Sequence, residues 1–255
     1  MKKIVIANNK GGVAKTTSVM NLIGYFSKKK YKVLAIDLDP QGNLTDSFGI
    51  DLQKLSDTVY DALKEKNVKP YLIEVNSQID LLPSNLDLER ANLDFVSTLG
   101  RESLLKKALA KVENEYDICI IDTSPSLSTL TLNALTCADL VYIPLRSGYF
   151  EMRGASVLLE VIEAIKEDLN PKLKIGGVFL TQYNGRVNMT SEIMEQLESY
   201  FGETLMKTKI RNNISLVEAP ALMKNIFEYK PNSNGAKDYE ELAKEIIKRE
   251  EIIKS

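Results

Sequence analysis

The feature that most limits what this chain can fold into is a series of short, unbroken β-branched runs, at residues 3–7, 32–36, 79–82, 118–121, 140–143 and 175–180. A strand with one face in water alternates apolar with polar residues. A run that does not alternate is covered on both faces, as in a parallel sheet. Between the runs lie longer segments with apolar residues at helical spacing. Residues 16–29 carry Val19, Leu22, Ile23 and Phe26; a second segment has Leu158, Ile162 and Ile165; a third has Ile193, Leu197 and Tyr200. Strand alternating with helix predicts crossover units and a three-layer, doubly wound α/β fold, its sheet mostly parallel with helices on both faces. The 8 prolines and 13 glycines are scattered and no internal repeat is visible, so one domain over 1–255 is expected.

Composition narrows the chemistry. Histidine is absent, which removes imidazole acid–base catalysis, His-containing triads and His metal ligands together. Two cysteines, Cys119 and Cys137, are too few for a disulfide framework or a cysteine zinc site. No run approaches the roughly 18 apolar residues of a membrane span, and the apolar run after Met1-Lys2-Lys3 is too short for a secretory signal. A cytoplasmic protein is expected, working through carboxylates, lysines, hydroxyls and backbone.

The segment Asn8-Asn9-Lys10-Gly11-Gly12-Val13-Ala14-Lys15-Thr16-Thr17 lies directly after the first predicted strand and before the first predicted helix. That context suits a phosphate-binding loop: amides and a helix N-terminus face the anion, Lys15 adds a point charge, and the Thr16 hydroxyl ligates Mg²⁺. A plain Gly-Gly turn is the simpler alternative. Asp37 and Asp39, one residue apart, close the second run, and Asp122 closes the run Tyr116-Asp117-Ile118-Cys119-Ile120-Ile121. Ligands in open α/β sheets sit beyond the carboxyl ends of strands, so all three acids are expected near Lys15. Capping of a following helix is a structural role that suits Asp37 better than Asp39.

Residues 10–17 resemble the deviant Walker A box, Lys-Gly-Gly-x-Gly-Lys-Thr-Thr, of the ParA/MinD ATPases. Asp37-Leu38-Asp39-Pro40-Gln41-Gly42-Asn43 is similar to the ParA/Soj pattern, and Asp122 with Thr123-Ser124-Pro125-Ser126-Leu127 falls where relatives have Walker B and a switch segment. The likeness continues through Leu132-Asn133-Ala134-Leu135, Thr181-Gln182-Tyr183-Asn184-Gly185-Arg186 and Leu216-Val217-Glu218-Ala219-Pro220, and so covers nearly the whole chain. The resemblance implies ATP and Mg²⁺ as cofactors and a nucleotide site of Lys10, Gly11, Gly12, Val13, Ala14, Lys15, Thr16 and Thr17. Lys10 would act across an ATP-dependent homodimer, Lys15 on the phosphates and Asp39 on the attacking water. Thr16, Asp39 and Asp122 would form the metal set. Ala14 departs from the family glycine, and its methyl fits only if the backbone there does not need positive φ. Gly148 stands where an acidic residue is common, and Ile210-Arg211-Asn212-Asn213 replaces Ile-Pro-Arg-Asn.

The purpose implied is plasmid or chromosome partition, with nonspecific double-stranded DNA and a ParB-type centromere-binding protein as partners and a nucleoid-associated location. MinD-like positioning of another cargo is the alternative. The chain is slightly acidic, with 33 basic and 35 acidic side chains. Residues 207–237 nevertheless hold six basic against two acidic side chains, a net +4. Within that segment Lys207, Lys209, Arg211, Lys224 and Lys230 are the candidate DNA-binding residues. Residues 237–254 carry a net −1 and no Phe or Trp, which suits a helix packed on its own domain and not a membrane anchor. With the phosphate loop beginning by residue 10, no N-terminal helix-turn-helix domain is expected.

Overall fold

The structure is a computed structural model that describes residues 1–146, 151–184 and 191–254. Gly148, Gly185, Arg186 and the side chain of Ile193 lie outside the described residues. Its strands are β1 (Lys2–Ile6), β2 (Val33–Leu38), β3 (Ile73–Asn76), β4 (Ile79–Leu82), β5 (Ile118–Thr123), β6 (Leu140–Arg146), β7 (Lys174–Tyr183) and β8 (Leu205–Arg211). The helices are α1 (Lys15–Lys28), α2 (Asn43–Ser47), α3 (Val59–Glu65), α4 (Ala91–Asp94), α5 (Leu104–Leu109), α6 (Thr129–Cys137), α7 (Glu151–Asp168), α8 (Ser191–Phe201), α9 (Ser215–Ala221), α10 (Ile226–Tyr229) and α11 (Asn234–Glu250). The strands form one sheet in the order β3-β4-β2-β5-β1-β6-β7-β8, parallel throughout except for β3 against β4.

Burial explains the unbroken apolar runs. Val5, Leu34, Ile36, Cys119 and Ile121 point into a core shared with Leu63, Leu105, Ala134 and Leu158 of α3, α5, α6 and α7. Ile4, Ile6, Val33, Ala35, Ile118 and Ile120 point the other way, onto Phe26, Ile226, Leu242 and Ile246 of α1, α10 and α11. Both faces of the central strands are therefore covered, and the predicted three-layer arrangement is the one observed. The two strands that the apolar runs did not reveal are the edges. β3 reads Ile-Glu-Val-Asn and β8 reads Leu-Met-Lys-Thr-Lys-Ile-Arg; each is half exposed and so alternates.

Both edges are also irregular. β3 slips register against β4 between Glu74 and Asn76, and β8 slips against β7 between the Val178 and Leu180 pairings. Around the second slip the backbone amides of Lys207 and Thr208 donate to the Glu245 carboxylate of α11, each at 3.0 Å. α11 packs on its own domain as expected, with Leu242, Ala243 and Ile246 fully buried. It ends at Glu250, short of the residue 254 expected: Glu251 takes a left-handed C-cap, and Ile253 beyond it is 84% exposed.

One packing constraint is unusually tight. A Cβ built on Gly176 of β7 would stand 2.5 Å from Cζ and 2.6 Å from Cε2 of Tyr142, a ring wholly buried in β6. Gly176→Ala should therefore destabilise by about 1–3 kcal/mol, lowering the melting temperature by several degrees. An unchanged melt would mean that the ring yields freely.

Candidate nucleotide site

The carboxyl ends of β1, β2 and β5 meet at one edge of the core, because Ile6 pairs with Asp122 and Asp37 pairs with Asp122 in the strand registers. Residues 7–14 leave β1 there and turn into α1. Asn8 anchors the start of the loop: its Nδ2 donates to Pro144 O at 2.7 Å, and its Oδ1 accepts from Lys10 N at 3.0 Å.

The carbonyls of the loop are claimed one by one. Lys10 O accepts from Lys15 Nζ at 2.8 Å, Gly12 O from Gln182 Nε2 at 2.8 Å, and Val13 O from Thr181 Oγ1 at 3.1 Å. Ala14 O accepts from Ser18 Oγ at 2.7 Å as well as from Ser18 N. In a trans peptide C=O and N–H point in opposite directions, and no cis bond occurs among the described residues. The amides of Gly11, Val13, Ala14 and Lys15 are thereby turned away from those donors, which is how a loop becomes an anion cradle.

Ala14 shows what this geometry demands. It is the N-cap of α1 with φ +64° and ψ +36°, and its side chain makes no cap. The expectation that its methyl fits only where positive φ is not needed is corrected: the loop needs positive φ, and the methyl is carried under strain. A non-glycine residue in that region costs about 1–2 kcal/mol.

Thr16, first turn of α1, donates through Oγ1 to Asp122 Oδ2 at 2.6 Å. The phosphate loop and the end of β5 are thus joined by one short bond between two of the three residues expected to hold Mg²⁺. Asp122 is fully buried; burial raises its pKa well above the ordinary carboxylate value, and Asp37 and Asp39 add to the rise, while Thr16 and Lys15 oppose it. Burial pulls Lys15 below the usual lysine value, against Asp122 and Asp39, which favour its charge. Such a group of buried acids beside one lysine is the environment a divalent cation relieves. Among the described residues no cluster of three or more Asp, Glu, His or Cys side chains could hold a metal alone. A cation here would need phosphate oxygens besides Thr16 and Asp122, which fits a Mg²⁺–nucleotide pair.

Asp37 has the structural role. Its Oδ2 accepts from Thr45 N at 2.9 Å and Thr45 Oγ1 at 2.8 Å, so it caps α2, and its Oδ1 accepts from Asp39 N at 3.1 Å. Burial lifts its carboxyl to about 6, against these hydrogen bonds. Asp39 leaves the strand beyond it, its Oδ1 accepting from Gln41 N at 3.0 Å and its carbonyl from Ser84 Oγ at 2.8 Å. Ser84 N in turn donates to Thr45 Oγ1 at 3.0 Å, closing a buried network under Asp39. Thr45 and Ser84 carry no charge and sit far from the loop in sequence, so only their bonds reveal them, and the bonds of Thr181 give a role to a residue noted before only for its likeness to relatives.

Beside the loop is a cavity of about 400 Å³ lined by residues that include Ala14, Thr17, Gln182, Arg211, Asn213 and Pro220. Its size suits a nucleoside. Arg211, a candidate for the DNA face, pairs with Asp238 at 2.6 Å and lines this cavity while its side chain stays 45% exposed. The other four cations fall into two groups. Lys207 and Lys209 alternate with Met206, Thr208 and Ile210 on β8, and Lys209 Nζ lies 5.0 Å from the Tyr183 ring centre. Lys224 and Lys230 flank α10, and Lys230 pairs with Glu218 at 3.4 Å.

A glycine-rich loop between β1 and α1, a lysine inside it, and a threonine bonded to a strand-end aspartate define a P-loop nucleoside triphosphatase. A family model described as an AAA domain matches residues 1–175. The chain is 39% identical over 251 residues to the chromosome-partitioning ATPase Soj of Treponema pallidum (strain Nichols), covering 98% of both chains. It is 40% identical over 250 residues to the sporulation initiation inhibitor protein Soj of Bacillus subtilis (strain 168), covering 96% and 98%. Among solved structures it matches cobyrinic acid a,c-diamide synthase from Mycobacterium smegmatis with a bound ATP analogue and magnesium, at 32% identity and a TM-score of 0.86, covering 98% and 96%. The chain belongs to the ParA/Soj family of partition ATPases.

Two outcomes follow from the strained loop and the buried acid. Ala14→Gly should stabilise the nucleotide-free protein by about 1 kcal/mol, read as a higher denaturant midpoint. Asp37 should make stability depend on pH. Its carboxyl is raised from 3.8 to about 6, so between those values the folded chain keeps a proton that the unfolded chain has lost. This contribution is complete below pH 3.8 and disappears as pH rises through 6. The stability difference between the unmutated protein and Asp37→Ala should therefore shrink from about pH 4.5 to about pH 7, by on the order of 1–3 kcal/mol. A difference that widens over that range contradicts the raised carboxyl.

Proposed function

We propose that this chain is a Mg²⁺-ATP-dependent partition ATPase that dimerises on ATP, binds double-stranded DNA without reading its sequence, and hydrolyses ATP when a ParB-type centromere-binding protein engages it. The observation that carries the reading is the 2.6 Å bond from Thr16 to Asp122, which joins loop and strand end at the place where Mg²⁺ would supply charge for the phosphates. Lys15, whose ammonium now donates to Lys10 O, exchanges that acceptor for a phosphate oxygen. Asp39, its backbone fixed by Ser84, orients and polarises the attacking water. Lys10 acts on the nucleotide of the second subunit.

DNA binding rests on Lys207, Lys209, Arg211, Lys224 and Lys230, of which Arg211 also pairs with Asp238 at the rim of the cavity beside the loop. Dimerisation doubles these cations, so affinity should rise with ATP and fall steeply with salt. Lys207→Glu combined with Lys224→Glu takes one cation from each group. This variant should lose at least tenfold in affinity for random-sequence duplex while sedimenting as an ATP-dependent dimer like the unmutated protein. Lys15→Ala should lose ATP binding, dimer and DNA affinity together. If the double variant kept the original affinity and salt slope, the DNA-binding part of the proposal would fail. A mass that stayed monomeric with ATP would remove the dimer.

A further inference from the structure

Thr181 and Gln182 are neighbours at the end of β7, yet both side chains reach the phosphate loop, Thr181 to Val13 O and Gln182 to Gly12 O. In an extended strand, neighbouring side chains leave on opposite faces. Here the alternation is broken because Gln182 takes φ +50°, the left-handed region that glycine occupies freely and glutamine does not. Register with β8 is irregular over the same residues, between Leu180 and Tyr183. Gln182 also lines the cavity beside the loop, together with Thr17 and Asn213.

Retained strain of this kind needs an offsetting contact. The 2.8 Å bond to Gly12 O is a contact this backbone makes possible: it sets two donors side by side against two consecutive loop carbonyls. The Gly12–Val13 peptide is held with its carbonyl toward Gln182, and its Val13 amide is thereby held toward the anion. Gly12 itself has φ +72°, and a Cβ placed on it would meet nothing within 4 Å, so no packing fixes it from that side.

We propose that Gln182 is a positioning residue for nucleotide binding, a strained strand-end amide that orients the Gly12–Val13 peptide of the phosphate loop. The inference rests on the reading of the site as an ATP site. Three substitutions separate this role from a general contribution to folding. Gln182→Gly removes both the strain and the side chain. Gln182→Asn tolerates left-handed backbone but is one methylene too short to reach Gly12. Gln182→Glu keeps the shape and sets a carboxylate against a carbonyl.

ATP affinity by isothermal titration in Mg²⁺ buffer and the melting temperature without nucleotide are measured for each variant and for the unmutated protein. All three should bind ATP about tenfold more weakly, the order expected for one hydrogen bond. Gln182→Gly and Gln182→Asn should melt at or above the temperature of the unmutated protein. Affinity within twofold of the original in the glycine variant would overturn the proposal, as would affinity and melting temperature falling together in both the glycine and asparagine variants. Absence of ATP binding by the unmutated protein would instead refute the ATP reading itself, so the two failures are distinguishable.

Discussion

Two carboxylates, Asp37 and Asp122, stand opposite each other in adjacent strands with no solvent around either. Parallel pairing of β2 with β5 in the observed register makes this unavoidable, and much of the site follows from how the strand ends dispose of the two charges. Asp37 is spent on backbone: it caps α2 and holds the amide of Asp39. Asp122 accepts from Thr16 Oγ1 and from Thr123 N, with Lys15 nearby. Two residues of one type at equivalent places thus acquire different work. One holds the start of a helix and the other joins the strand end to the phosphate loop.

The central sheet could be read in the sequence because a strand buried on both faces leaves a contiguous apolar signal. The same reasoning could not find β3 or β8, whose polar outer faces interrupt that signal. The loop, Asp37, Asp39 and Asp122 were legible because each closes a strand or opens a helix, and the role of Asp37 as a cap followed from its place before α2. Thr45 and Ser84 were not, since a neutral hydroxyl carries no pattern until the fold brings its partner near, and Thr181 stood out only by likeness, without a role. The partner of Arg211 was not legible either: a count of charge along residues 207–237 does not say that Asp238, one residue beyond, pairs with this cation.

Ala14 and Gln182 share an unusual property: both are non-glycine residues in left-handed backbone, and both adjoin the phosphate loop. Their strain falls on the segment that receives the ligand and not on the hydrophobic layers beneath it. The core supplies a rigid support, with strand residues fully buried on both faces, against which the loop can be held in a conformation that its own residues disfavour.

The irregular edges of the sheet bear on how copies of this chain can assemble. A regular exposed edge presents a row of amides and carbonyls that a strand from another molecule can extend. β8 turns two successive amides inward onto Glu245, and β3 breaks step with its neighbour. Neither offers an uninterrupted ladder. Copies of this chain would then meet through contacts between helices and loops, leaving each sheet a closed unit inside its own subunit.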